Sequence, residues 1–507
     1  METKGYSFPS LLYTEKPVGI DIDGQVFRDL KLAGTPEGEE YDALTEVMSR
    51  LPSRSDIEKR RELFDCLRKM RRKAGGDFTK DPFGALGFAL WEVKNYDAAF
   101  SRRTDGARAV IFACLCGLFC DFCLLAAELK GKGSLLSDFS EFFRSYRNKE
   151  GYSEFESEAA KLRRSLPEAF FSVKYRTGGD LSPEEPENEG FVSRITDRLS
   201  DEPEEGEELP PEYELIPDER PSDAFAEKLV SLYPEALKEA RGFYEKYRDF
   251  YDPSIVEYDK EFDFIHCVLK IEEAAEQAGI PLCVPTLTDR RVISAKNAYD
   301  VTLLLSKGER DIVPNDIELS EKQPLFFLSG ANGGGKTTYL RALGVNVLLA
   351  LSGAKAAADS FEIGPVDGVF THFPQFEQHF GAGRFESEKI RAFQTLDKLG
   401  KTPLVLLNET FSTTNEQKSR RAIEDYAKSL LSRGALGVYV THTSDINVPG
   451  VGSLVCEIDD NNPGKRTYRI IKADNTRGAH AADLIEKYGL TPASLRKLFS
   501  ERRSERE

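Results

Sequence analysis

The chain lacks an excess of positive charge: its 69 Lys and Arg are outnumbered by 86 Asp and Glu, for a formal net charge of −17. A protein that coats nucleic acid non-specifically needs clustered cations to neutralise phosphates, so this balance argues against that class. Much of the excess lies between Asp180 and Asp223, so the other segments are closer to neutral and charge alone decides nothing about DNA contact. The N-terminal METKGYSFPS lacks the apolar core of a secretory signal, which predicts a cytoplasmic protein.

Long apolar runs are scarce as well. One stretch, Ala109 to Ala127, is nearly long enough to span a bilayer, but Asp121 sits in its middle, where a lone acid is costly in lipid. A buried core helix, with no membrane, is the reading it supports. The same stretch carries Cys114, Cys116, Cys120 and Cys123, half of the 8 cysteines. On a helix the last three share a face while Cys114 points elsewhere, which does not close four ligands around a zinc ion. Cys66, Cys267, Cys283 and Cys456 are scattered through core-like segments, as in a protein of a reducing compartment.

At 507 residues the chain is too long for one ordinary core. Residues 1–177 read as mainly helical, with a short strand at Val18–Phe27, a helical pattern from Tyr41, and Ser55 as N-cap of a helix over Asp56–Lys73. Further helices are expected at Phe83–Val93, Ala107–Leu129, Leu136–Tyr146 and 153–170. Residues 178–221 are dense in Glu, Asp and Pro and read as a disordered acidic insertion, or as an interaction segment. Residues 222–280 return to long helices, broken near Asp252-Pro253 and forming a lever. Within them Phe243, Tyr247, Phe250 and Tyr251 recur at helical spacing, which predicts packing, not an exposed wedge, for Phe243-Tyr244-Glu245. Residues 281–490 alternate strand and helix, and residues 491–507 form a charged tail.

The chain is organised around LFFLSGANGGGKTTYL, residues 325–340. Leu325 to Leu328 read as a strand buried on both faces, and Ser329-Gly330 ends it. Gly330, Gly333, Gly334 and Gly335, with Asn332 among them, form a loop whose N–H groups can turn inward on a phosphate at the start of a helix. Lys336 supplies a cation for the β/γ-phosphates, Thr337 a hydroxyl for Mg²⁺, and Thr338 continues the helix start. The spacing is that of a P-loop, which predicts ATP and Mg²⁺ as cofactors.

Hydrolysis also needs an acid near the metal and a group that orients water, both at the end of a neighbouring strand. Asn408-Glu409 ends the apolar run PLVLL, and His442 ends GVYVT. Glu409 is the candidate for polarising water. Asn408 stands where an aspartate is usual and would hold the Mg²⁺ shell more weakly, which predicts slow hydrolysis. His442 is placed to sense the γ-phosphate or the attacking water. Arg384, after Gly381 and Gly383 and before an expected helix at Glu386–Leu399, marks a second glycine-rich anion site.

In this order the motifs are recognisable. Residues 281 to about 490 resemble the ATPase domain of the MutS family of DNA mismatch-repair proteins. GANGGGKTT resembles that family's GPNMGGKST loop, FEIGPVDGVFTHF its EIGPIDRIFTR stretch, Ile312-Val313-Pro314-Asn315-Asp316 the segment before the loop, and VTHT its ATH strand end. Glu388 precedes Asn408 by the spacing of the family's signature glutamate from its Walker B acid. Residues 55–175 and 222–280 resemble the helical core and lever of smaller MutS-related proteins. The resemblance implies an α/β P-loop ATPase domain of the ABC-like, MutS domain V type, joined to an N-terminal, mainly α-helical core and lever domain. It also implies a homodimer through the ATPase domains, with Arg384 and its neighbours acting on the partner's nucleotide. DNA is the implied target, with a protein partner as the alternative.

Three departures matter. No N-terminal mismatch-reading domain is visible, Gly383 stands where the family signature carries serine, and Asn408 replaces the Walker B Asp. The expected function is therefore an ATP-driven conformational switch, and the alternative is a nucleotide-gated interaction module with little catalysis.

Overall fold

A computed structural model describes residues 8–15, 21–32, 39–75, 80–102, 107–131, 133–165, 173–175, 181–183, 234–308, 310–373, 384–411, 416–443, 446–459, 462 and 465–473. The helices in chain order are α1 (Gly24–Asp29), α2 (Glu39–Met48), α3 (Arg54–Lys73), α4 (Pro82–Arg102), α5 (Ala107–Glu128), α6 (Ser134–Arg147), α7 (Tyr152–Ser165), α8 (Pro234–Tyr247), α9 (Tyr258–Gln277), α10 (Val301–Lys307), α11 (Lys336–Leu351), α12 (Arg384–Lys398) and α13 (Glu416–Ser432). Two short strands, β1 (Val173–Tyr175) and β2 (Leu181–Pro183), pair antiparallel. The later strands are β3 (Leu282–Cys283), β4 (Thr286–Leu287), β5 (Val292–Ala298), β6 (Asn315–Ser320), β7 (Leu325–Ser329), β8 (Ala356–Ala357) and β9 (Ser360–Ile363). They are followed by β10 (Gly368–His372), β11 (Pro403–Asn408), β12 (Leu436–Val440), β13 (Val451–Ile458) and β14 (Arg466–Lys472).

Two compact units result, and they interleave along the chain. One takes in the described residues of Met1–Leu11 and Cys66–Asp259, the other those of Leu12–Asp65 and Lys260–Glu507. Residues 12–65 thus belong with the C-terminal half, a grouping that a linear division at 177, 221, 280 and 490 does not contain.

The first unit is helical and is built around α5, against which α4, α6, α7 and α8 pack. Phe119, Phe122, Phe139 and Phe143 are fully buried there, with the rings of Phe122 and Phe143 edge to face at 5.5 Å. By length and composition α5 is apolar enough to cross a membrane, yet it is mostly buried within its own unit, and Asp121 reaches the rim to pair with Arg163. Phe243 is core, as its spacing predicts: it is 3% exposed and stacks on Phe155. Burial pushes the thiols of Cys116 and Cys123 well up, so both stay protonated. Among the described residues no cluster of His, Cys, Asp and Glu suits a metal ion.

Several expected boundaries are corrected. The strand at Val18–Phe27 gives way to α1, because Asp23 caps a helix by accepting from the Gln25 N–H; residues 16–20 lie outside the described set. The cap of α3 is Ser53, not Ser55: Ser53 Oγ accepts from the Asp56 N–H at 3.1 Å and donates to Asp56 Oδ2 at 2.7 Å, a side-chain cap that starts the helix early. Helix α4 runs on to Arg102, well past the expected Val93. Of the acidic insertion, Leu181–Pro183 is a strand; residues 184–221 and the 491–507 tail lie outside the described residues.

Asp81 sets the start of α4. Its buried carboxylate accepts from the N–H groups of Phe83 and Gly84 and lies 3.7 Å from Arg71. Asp81→Ala removes the cap and a charge beside a buried guanidinium, so a loss on the order of 2 kcal/mol is expected in denaturant unfolding. An unchanged midpoint would show that water replaces both functions.

The second unit holds the main sheet. Its strand order is β10-β11-β12-β7-β13-β14, with the first five strands parallel and β14 antiparallel to β13. Strands β7, β11 and β12 (LFFLS, PLVLLN, LGVYV) are near-continuous apolar runs because both faces are covered. Phe327, Leu407, Phe411, Tyr426 and Tyr439 share one core cluster. A smaller four-stranded sheet, β4-β9-β5-β6, and the β3-β8 pair complete the unit. The alternation read from the sequence is thus present, and parallel strands deliver their C-terminal ends to one edge, where ligand sites of such sheets form.

Candidate functional site

The phosphate loop leaves the end of β7 and enters α11. Gly330, Gly333 and Gly335 take φ values of 150°, 72° and 94°, which side chains other than glycine rarely allow. Gly335 is the N-cap of α11 and offers no side-chain acceptor, so the first-turn N–H groups remain available to an anion. Asn332 and Gly333 are exposed, Gly334 is buried, and Thr337 and Thr338 are half-buried in the first turn. Lys336 folds back over the loop, its Nζ donating to the carbonyls of Gly330 at 2.8 Å and Ala331 at 3.1 Å. Burial lowers its pKa, opposed by the Cys456 thiol and the Glu409 carboxylate. An incoming phosphate would relieve that buried charge.

Glu409 follows β11 directly, and its N–H donates to Val440 O at 2.9 Å. His442, two residues past the end of β12, places Nε2 2.9 Å from Glu409 Oε1. That hydrogen bond, helped by Lys336 and opposed by partial burial, holds the Glu409 pKa below the ordinary glutamate value. Glu409 is therefore a carboxylate at neutral pH, the form that can accept a proton from water. Both side chains are about one-third exposed, at 34% and 36%, which leaves them reachable by solvent and ligand.

Asn408, the last residue of β11, is 8% exposed, and its Oδ1 is buried with no hydrogen-bond partner. A buried carbonyl oxygen left unmatched is costly. A divalent ion, or water bound to one, would satisfy it, so the residues fit Mg²⁺, with Thr337, Asn408 and Glu409 as its candidate holders.

The expected site residues thus come together from three adjacent strands, β11, β12 and β7. Arg384 is the first residue of α12, its side chain outside the described set, and Gly381 and Gly383 lie outside the described residues. Glu388 is buried, at 8% exposure.

Several contributors escape a motif reading. Cys456 on β13 packs on the loop: a Cβ on Gly330 would meet its Sγ at 2.3 Å, and one on Gly334 at 2.8 Å. Gly330 is therefore required by that contact as well as by its backbone angle, and Gly334 by the contact. Arg466 is a further cation close enough to lower the pKa of Lys336. Thr410, 1% exposed, accepts at its carbonyl from the Tyr439 hydroxyl, and its own hydroxyl lies 3.0 Å from His372 Nδ1. His372 had a signal, since FTHF stands where the family segment reads FTR; Cys456 had none beyond being a cysteine in a strand.

Residues 326–451 match the MutS domain V family. Among curated relatives, the DNA mismatch repair protein MutS of Aquifex pyrophilus is 24% identical over 264 residues, 49% of this chain and 30% of that protein. Human DNA mismatch repair protein Msh3 is 26% identical over 226 residues, 43% of this chain and 19% of that protein. Endonuclease MutS2 of Thermomicrobium roseum is 30% identical over 190 residues, 36% of this chain and 24% of that protein. The matches thus span less than a third of each of these relatives. The domain V match begins in the strand of the phosphate loop, and the partial similarity to MutS, Msh3 and MutS2 proteins supports a MutS-type domain over this part of the chain.

Proposed function

We propose that the chain is an ATP-binding conformational switch of the cytoplasm that hydrolyses ATP slowly, pairs through its domain V and acts on DNA. The observation that supports this most is the convergence of Lys336, Asn408 and the Glu409–His442 pair at the ends of neighbouring parallel strands. The loop N–H groups and Lys336 bind the phosphates, and Mg²⁺ neutralises charge on them when bound. Glu409 takes a proton from the attacking water, and His442 orients the carboxylate. The family resemblance supports a dimer in which Arg384 reaches the partner's nucleotide. The names of the relatives support DNA as the target. Purified protein assayed with Mg²⁺ and ATP, with and without mismatched, branched and plain duplexes, tests this. Failure to bind or turn over ATP in any of these conditions defeats it.

Asn408 favours a second reading, a nucleotide-gated module that assembles a protein partner with little catalysis. Unchanged partner capture after deletion of residues 180–220 would count against it. Asn408→Asp tests the place of the metal. Its added charge should lower the Mg²⁺ concentration for half-maximal ATPase activity several-fold, as a carboxylate holds a hard cation better than an amide. A variant with unchanged Mg²⁺ dependence would place the metal away from β11.

A further inference from the structure

We propose that His372 is a positioning residue for hydrolysis, holding the turn that carries Glu409 through the Thr410 hydroxyl. The proposal rests on the reading of Glu409 as the group that activates water. Glu409 and Phe411 have φ of 56° and 68°, left-handed values that side-chain-bearing residues rarely adopt. Such geometry persists where the surroundings over-determine it, and it concentrates at functional sites.

Three contacts fix the backbone of this turn from one side. The Glu409 N–H donates to Val440 O at 2.9 Å, the Tyr439 hydroxyl to Thr410 O at 2.8 Å, and Ser419 Oγ to Phe411 O at 2.7 Å. They come from β12 and α13. The opposite neighbour of β11 is β10, and its last residue is His372, with Nδ1 3.0 Å from Thr410 Oγ1. The strand that delivers Glu409 is therefore pinned on both flanks, on the β10 side through a side chain.

Burial, together with the Arg391 guanidinium, pushes the His372 pKa down to about 4. The ring is neutral throughout the neutral range, so the contact is a fixed strut and not a pH switch. His372 is also remote from the phosphate loop in sheet order, because β11 and β12 stand between β10 and β7. Loss of the strut should loosen Glu409 against His442 while leaving the phosphate grip intact.

The test compares equilibrium ATP binding and steady-state turnover of the full chain with His372→Ala, Thr410→Val, the double variant and His372→Asn. In the alanine and valine variants kcat is expected to fall roughly 10- to 100-fold, the scale set by ångström-level misplacement of a reacting group. ATP affinity should stay within about twofold, and the double variant should be no slower than the worse single, since both remove one interaction. Asparagine at 372 should restore most of kcat, because its amide offers a donor and an acceptor near the Nδ1 position. The shape of the kcat–pH profile should not change.

Unaltered kcat in His372→Ala and Thr410→Val, with Glu409→Ala inactive, overturns the strut alone. So does a loss of ATP binding that matches the loss of turnover, or a failure of asparagine to rescue. Full activity in Glu409→Ala, or no activity in the unaltered protein, overturns the reading of Glu409 and the strut with it.

Discussion

Lys336→Ala abolishes ATP binding at concentrations that saturate the unaltered protein, with a loss of about 100-fold or more in affinity. The expectation follows from where the ammonium sits. It is 6% exposed and bonded to two carbonyls of its own loop, so it already carries a desolvation penalty that those neutral oxygens only partly offset. Phosphate oxygens would replace the carbonyls as charge-assisted acceptors, each such bond contributing about 1.5–3 kcal/mol. Losing one or two of them corresponds to tenfold steps for every 1.4 kcal/mol or so. The fold should survive, since removal of a buried cation relieves desolvation and the loop retains its glycine angles and its packing on Cys456. Circular dichroism and unfolding midpoints close to those of the unaltered protein would establish that the loss is one of binding. If affinity falls less than about threefold, Lys336 does not contact the phosphates and Arg466 becomes the leading cation.

Glu409→Ala is expected to give the complementary result: ATP binds as before, while turnover falls by about 10² to 10⁴, the range for loss of a positioned general base. The carboxylate is kept ionised by the His442 hydrogen bond, so it is in its reactive form across the neutral range. Because its pKa is depressed, activity should be lost only as pH falls below the ordinary glutamate range and the carboxylate protonates. Glu409→Gln should behave like alanine, because an amide keeps the shape and loses the basicity. Retention of most of the activity in both variants would move the base elsewhere. His442→Ala should show a smaller defect, since Glu409 stays in place through its backbone bond to Val440.

Much of this site was legible in the sequence because its parts obey strong local rules. Glycines flanking a lysine after an apolar run place the loop, and two further apolar runs ending in Asn408-Glu409 and Thr441-His442 place the partners. Parallel strands buried on both faces carry no competing pattern, so their order along the chain was readable. The failures share another cause, since they depend on which of two similar local options wins. Ser53 and Ser55 both suit a cap, each with an acid three residues on, Asp56 and Glu58, and it is Ser53 that bonds Asp56. Val18–Phe27 reads as strand until Asp23 is seen as an acceptor for Gln25. Cys456, His372 and Arg466 reach the site through tertiary packing of strands 38 or more residues away, which no local window contains. The left-handed turn at Glu409 and Phe411 was invisible for the opposite reason, because neither residue type announces a positive φ.

The central claim is that the loop from Gly330 to Thr337 holds a triphosphate that Glu409 then cleaves. Equilibrium titration of Mg²⁺ and ATP into the Glu409→Ala chain tests it most directly, because binding is then read without turnover. The account predicts saturable, stoichiometric binding of intact ATP that disappears when Lys336→Ala is added. Absence of binding at millimolar ATP, or binding that survives the second substitution, would contradict it.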